Sequence, residues 1–257
     1  MHGTLTIFRK EVASLFHTGI AYVVIGMFLL GTGMFMWMFE FSFLFTDPNV
    51  FVTGFANLDN LFGSAPLLFL LLVPALSMRS FSEELRSGTI EFLGTKPLTD
   101  WEIILGKYLA VLFLILLCLL ASGVDYIAMQ ALSTPTGCFF CAGDLDHGAT
   151  WGAYLGLFCL GAIFAAIGIF SSALANNPII AFVLGASVCF LFYPALDLLA
   201  GIQAIGGFNA VLLHLSILTH YESISRGVID TRDLLYFASF VLITLFATRL
   251  MLEQKKR

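Results

Sequence analysis

Tyr108-Leu109-Ala110-Val111-Leu112-Phe113-Leu114-Ile115-Leu116-Leu117-Cys118-Leu119-Leu120 contains no charged side chain, and the apolar run continues to Leu132 with Asp125 as its one formal charge. At a rise of about 1.5 Å per residue, a helix over this run exceeds the roughly 30 Å hydrocarbon core of a bilayer. A soluble domain of 257 residues needs charge to cover its surface. This chain is 59% hydrophobic and 11% charged, with a mean hydropathy of +0.95. Lipid is the solvent that such an exterior fits. The net charge of −5 and the scattered basic residues argue against nucleic-acid binding.

Five further runs read the same way. Residues 20–45 are apolar except for Glu40, too long for the hydrophobic region of a signal peptide and with no small-residue cleavage site after them. Residues 61–78 form a second span with Pro66 and Pro74 inside it; each removes a backbone donor, so a neighbouring helix must satisfy the freed carbonyl. The third span covers 103–132. The fourth, 151–174, carries Gly152, Gly156, Gly161 and Gly168, small residues that let helices approach closely and predict a central position. Asn176-Asn177-Pro178 turns the chain into the fifth span, 179–200, and 234–252 is the sixth. Ahead of them, residues 4–17 place Leu5, Phe8, Val12 and Leu15 at helical spacing around Arg9, Lys10 and Glu11, the pattern of an amphipathic interfacial helix. Residues 201–233 mix apolar, glycine and charged positions and read either as an interfacial helix pair or as a re-entrant segment.

Basic residues in short loops set orientation. Arg9, Lys10, Arg79, Arg86, Lys96, Lys107, Arg249, Lys255, Lys256 and Arg257 fall on one side and Arg226 and Arg232 on the other, a split of 10 to 2 among 12. The expected topology is six spans in one all-α membrane domain with both termini in the cytoplasm, and with the polar loop 79–102 on the same side.

That loop is too long to be a mere connection. Ser82 can cap a helix that has Glu83 and Glu84 in its first turn, Leu85 on an apolar side, Arg86 near its end and Gly88 as its stop. Ile90, Phe92 and Leu93 group around Glu91, and Thr99 with Glu102 has capping-box spacing at the entry to the third span. A helix–turn–helix under the membrane is predicted. Glu84-Leu85-Arg86-Ser87-Gly88-Thr89-Ile90-Glu91-Phe92-Leu93, then Pro97, then Leu105-Gly106-Lys107-Tyr108-Leu109-Ala110 resembles the cytoplasmic signature of ABC-2 type permeases. With His220-Tyr221-Glu222-Ser223-Ile224-Ser225-Arg226-Gly227-Val228-Ile229-Asp230 before the last span, the chain is most similar within that family to permeases associated with gliding motility.

The resemblance implies a type V exporter-like fold in a bacterial inner membrane and a coupling helix that seats in a separate ATPase. Glu83, Glu84, Leu85, Arg86, Gly88, Thr89 and Glu91 would make that contact, with the turn at 171–177 as a smaller second one. It also implies a second permease copy or a related permease, and an auxiliary subunit with an extracytoplasmic domain. ATP and Mg²⁺ would belong to the ATPase, because this chain has no G-x-x-x-x-G-K-[ST] and no cofactor motif.

Other constellations are weaker. His214 and His220 lie near the outer interface without a metal-ligand spacing. Asp125 and Asp197 sit near outer helix ends, where they can cap helices or reach headgroups, rather than in the setting of an aspartyl protease pair. Cys138 and Cys141 could form a local disulfide or remain thiols, and Cys118, Cys159 and Cys189 read as packing residues. His220, Glu222, Arg226 and Asp230, with Arg232 and Asp233, read either as a solvated loop or as an outer gate or docking surface. Besides a permease, the chain could be a membrane scaffold in a motility or secretion complex without its own path. An ion-coupled carrier is disfavoured by the nearly charge-free mid-span regions.

Overall fold

The computed structural model describes residues 2–37, 58–88, 99–133, 146–201, 209–227 and 230–255. Regular structure among them is helical: α1 (His2–His17), α2 (Ile20–Trp37), α3 (Asp59–Ser77), α4 (Arg79–Arg86), α5 (Asp100–Ala121), α6 (Gly123–Ser133) and α7 (His147–Leu174). There follow α8 (Pro178–Phe190), a π-helical turn (Leu191–Ala195), α9 (Leu196–Ala200), α10 (Asn209–Leu215), α11 (Ile217–Ser225) and α12 (Thr231–Lys255). Among the described residues, six stretches are long and apolar enough to cross a bilayer: Ile20–Trp37, Asp59–Arg86, Asp100–Leu132, His147–Leu174, Pro178–Ala200 and Thr231–Lys255. The expected all-α, six-span class is the class observed. Glu40, Cys138 and Cys141 lie outside the described residues, as does the second half of the expected helix–turn–helix.

α7 is the axis of the bundle. It packs against α3, α4, α5, α8, α11 and α12, and 72% of its most apolar window is buried, against 17% for α12. The glycine positions explain how. A Cβ on Gly168 would stand 1.9 Å from Ser77 Oγ of α3, one on Gly161 would stand 2.8 Å from Ile115 Cγ2 of α5, and one on Gly156 would stand 3.0 Å from Ile224 Cγ2 of α11. Each missing side chain admits a different neighbour, so a single helix can serve as partner to three others.

α3 carries Pro66 and Pro74 within an uninterrupted helix. Pro66 cannot donate to the carbonyl four residues earlier, that of Phe62, and the Tyr221 hydroxyl of α11 donates to that oxygen at 2.7 Å. A neighbouring helix thus meets the need that the proline creates.

The second and sixth spans, Asp59–Ser77 and Thr231–Lys255, depart from the expected bounds by a few residues, and the third, fourth and fifth depart in ways with a structural cause. The third span is divided at Ser122, where α5 gives way to α6; Tyr154 of α7 donates its hydroxyl to the Ser122 carbonyl at 3.2 Å and offsets the break. The fourth span starts at His147, one turn before Trp151, because Asp146 caps it by accepting from Gly148 N and Ala149 N. In the fifth span the π-helical turn contains Pro194, a third proline whose effect the apolar pattern conceals. Residues 201–233 contain the short helices α10 and α11, neither long enough to cross a membrane. Asp125 follows the break at Ser122 directly, and Asp197 lies one turn before the end of the fifth span's continuous helix. Cys118 and Cys189 are buried and Cys159 partly buried among apolar neighbours.

Candidate coupling site

α4 begins directly after α3, and its start is not where the sequence places it. The expected cap, Ser82, lies inside the helix and donates its hydroxyl to the Met78 carbonyl. The capping oxygen belongs to Ser172 of α7, which accepts from Phe81 N at 2.9 Å and Ser82 N at 3.1 Å while donating to Met78 O at 2.9 Å. A hydroxyl has one proton and two lone pairs, so the start of α4 uses all of them. At the other end, Gly88 takes φ +70°, a conformation that L side chains rarely adopt, and its N–H reaches Leu85 O.

A second fastening comes from Lys107 on α5. Its side chain is 3% exposed, and its Nζ lies 2.7 Å from Glu84 Oε1 of α4 and 3.4 Å from Glu11 Oε1 of α1. It also donates to the Ser80 carbonyl and stands 4.8 Å from the centre of the Phe81 ring. Glu84 Oε1 and the Ser80 carbonyl accept from the ammonium, the Glu11 carboxylate adds an ion pair, and the ring face supplies a further favourable contact. Burial without such partners would cost several kcal/mol. The neighbouring Gly106 makes the arrangement possible, since a Cβ there would stand 2.8 Å from Ile7 Cβ and 3.1 Å from Thr4 O. Without that close approach of α1 to α5, Glu11 could not come within reach of Lys107. The entry to α5 is set by the capping box: Thr99 Oγ1 accepts from Glu102 N at 3.4 Å, and Glu102 Oε2 accepts from Thr99 N at 3.1 Å.

The predicted contact set therefore divides by face. Glu83, Arg86 and Gly88 are exposed; Glu84 turns inward to Lys107, and Leu85 packs partly against the core. Thr89 and Glu91 lie outside the described residues. In the second predicted contact, Ser171 and Ser172 are buried while Asn176 and Asn177 are exposed. Asn177 caps α8 by accepting from Ile179 N, and Lys255 of α12 donates to Leu174 O at 3.0 Å and Asn176 Oδ1 at 3.2 Å. Lys107 and Glu11 were absent from the predicted set, and Ser172 fell within the predicted second contact but not as the cap of α4. A single lysine two turns inside an apolar helix was the available signal for the first; nothing local marks Glu11 or the capping role of Ser172.

At the opposite end of α7, the outer charge cluster also separates into two. Glu222 and Arg226 form an exposed pair at 3.6 Å, and Asp230 accepts from Arg232 N at 3.0 Å at the start of α12. His220 turns away from them. Its Nδ1 lies 2.7 Å from Asp233 Oδ1, its Nε2 lies 3.2 Å from His214 O, and its ring stacks on Tyr236 at 4.1 Å. Both ring nitrogens are engaged in joining α10, α11 and α12, and Asp233 is buried in that joint.

A family model described as "ABC-2 family transporter protein" matches residues 7–252. No curated protein matches the chain.

Proposed function

The chain belongs to the ABC-2 family of transporter proteins, a multi-pass permease component, and from that premise we propose that α4 is the element through which a separate ATPase drives it. The observation that carries this reading is a short capped helix that exposes Glu83 and Arg86 while Glu84 and its backbone start are fastened to α5 and α7. A helix held in this way can pass rigid-body displacement of a partner to the spans behind it. Glu83, Arg86 and Gly88, continued by Thr89 and Glu91, form the partner face; Glu84 and Leu85 hold the helix in place. Asn176 and Asn177 supply the smaller contact. ATP and Mg²⁺ are bound by the ATPase, and two permease copies, or this chain with a related permease, bracket the path.

The orientation rests on the basic residues: their 10 to 2 distribution supports cytoplasmic termini and a cytoplasmic α4 in a bacterial inner membrane. The finer assignment, to permeases of gliding motility, is supported by the resemblance over residues 220–230. It brings with it an auxiliary subunit that docks by its extracytoplasmic domain near Glu222, Arg226 and Asp230.

The test is a detergent pull-down from the native membrane with mass spectrometry, performed on the unaltered chain and on a Glu83→Lys/Arg86→Glu variant. Stoichiometric capture of an ABC ATPase by the former and its loss from the latter, at equal insertion and thermal stability, is the expected result. Equal capture by both removes α4 as the contact, and absence of any ATPase from an otherwise intact complex favours a scaffold role. Failure to recover a subunit with an extracytoplasmic domain removes the gliding-type assignment.

A further inference from the structure

We propose that Ser172 is a positioning residue that routes movement of α4 into α7, and that α7 delivers it to α11 at the far end of the bundle. This rests on reading α4 as the ATPase-contact helix. Chain connectivity alone would send such movement into α3, which precedes α4, and through the following loop into α5. The hydrogen bonds add a different route: the Ser172 hydroxyl is shared among Phe81 N, Ser82 N and Met78 O, all main-chain atoms, so α4 cannot tilt without moving the end of α7 or breaking this clasp.

α7 is well suited to carry the displacement. It is one unbroken helix from His147 to Leu174, without a proline or π-turn, unlike the fifth span. Its opposite end is gripped as closely as the first. A Cβ on Gly152 would lie 3.0 Å from Gly227 Cα, and one on Gly156 would lie 3.0 Å from Ile224 Cγ2 and 3.6 Å from the Tyr221 ring. Gly227, at φ +82°, in turn presses against Ala149, to whose Cα its own Cβ would approach within 2.6 Å. Gly152 and Ser172 are 20 residues apart on one helix, about 30 Å at 1.5 Å per residue. Movement at the clasp therefore reaches α11, and with it the exposed Glu222–Arg226 pair, through packed contacts alone.

The test is hydrogen–deuterium exchange on the purified permease–ATPase complex, nucleotide-free and trapped with ATP and vanadate. It compares the unaltered chain with Ser172→Ala and with Ser172→Thr, which retains the hydroxyl. Trapping is expected to change exchange over 217–225 at least twofold in the unaltered chain and in Ser172→Thr. In Ser172→Ala that change is lost, although the ATPase is still captured. A wild-type response at 217–225 in Ser172→Ala overturns the proposal, as does its absence from the unaltered chain when residues 79–86 respond. If residues 79–86 themselves do not respond to the ATPase, the coupling-helix reading fails first and this inference with it. Ser172→Cys, which fills the same space with a weaker hydrogen-bonding group, is read in the same way should the alanine variant not fold.

Discussion

The Tyr221 hydroxyl donates at 2.7 Å to the Phe62 carbonyl, the one that Pro66 deprives of its helical donor. Tyr221 is fully buried, and burial, aided by the nearby Tyr193, pushes its hydroxyl well above the usual phenol pKa of about 10. Because the folded-state pKa is raised, this tyrosine's contribution is complete below about pH 10 and is lost above it, as the unfolded chain ionises and the folded chain resists. Tyr221→Phe is expected to cost about 1–3 kcal/mol at pH 7 by leaving the carbonyl unpaired. It should also flatten part of the stability decline above pH 10. Thermal unfolding in detergent from pH 7 to 11 measures both, and identical curves for the two proteins would contradict them.

Gly168→Ala places a methyl group where Ser77 Oγ already stands, 1.9 Å from the ideal Cβ position. An overpacking penalty of about 1–3 kcal/mol is expected. Ser77→Ala removes the offending oxygen, so the double variant should recover part of the loss. An additive outcome would mean that α3 and α7 separate by another route.

Lys107→Met leaves two carboxylates near an apolar side chain and is expected to destabilise by about 3–5 kcal/mol. Glu84→Gln should cost less in that background than in the unaltered chain, with a coupling of about 0.5–3 kcal/mol in a double-mutant cycle. Coupling within error of zero would show that the 2.7 Å pair contributes nothing.

Thr99→Ala removes one half of the capping box that starts α5 and should cost about 1 kcal/mol. Its effect is expected on the unfolding midpoint. A shift in ATPase capture without any change in that midpoint would instead place Thr99 at the partner contact.

The six spans were legible because an apolar length is a property of contiguous residues, as in 108–132. The closely packed α7 was legible for the same reason, since Gly152, Gly156, Gly161 and Gly168 announce it by their size. The capping box at Thr99 and Glu102 is local as well. What escaped is non-local. Ser82 looked like a cap because serine before two glutamates is the usual pattern, yet the position was filled by a hydroxyl 90 residues further on. Glu84 was taken for a partner contact, and only the fold reveals Lys107 behind it. His220 and Asp233, read with the outer charges, are instead paired with each other, Asp233 buried and His220 partly so, because α10, α11 and α12 converge on them.

The Lys107 cluster draws on Glu11, Ser80 and Glu84, all earlier in the chain than Lys107 itself. The clasp at Ser172 and the Tyr221–Phe62 bond need segments made much later. Synthesis runs from the N-terminus, so a chain that has reached only α5 already owns every member of the first fastening and neither hydroxyl of the other two. α4 can thus be anchored to α5, and through Lys107 linked to α1, before α7 has been made, and the arrival of α7 adds the Ser172 cap to a helix already held.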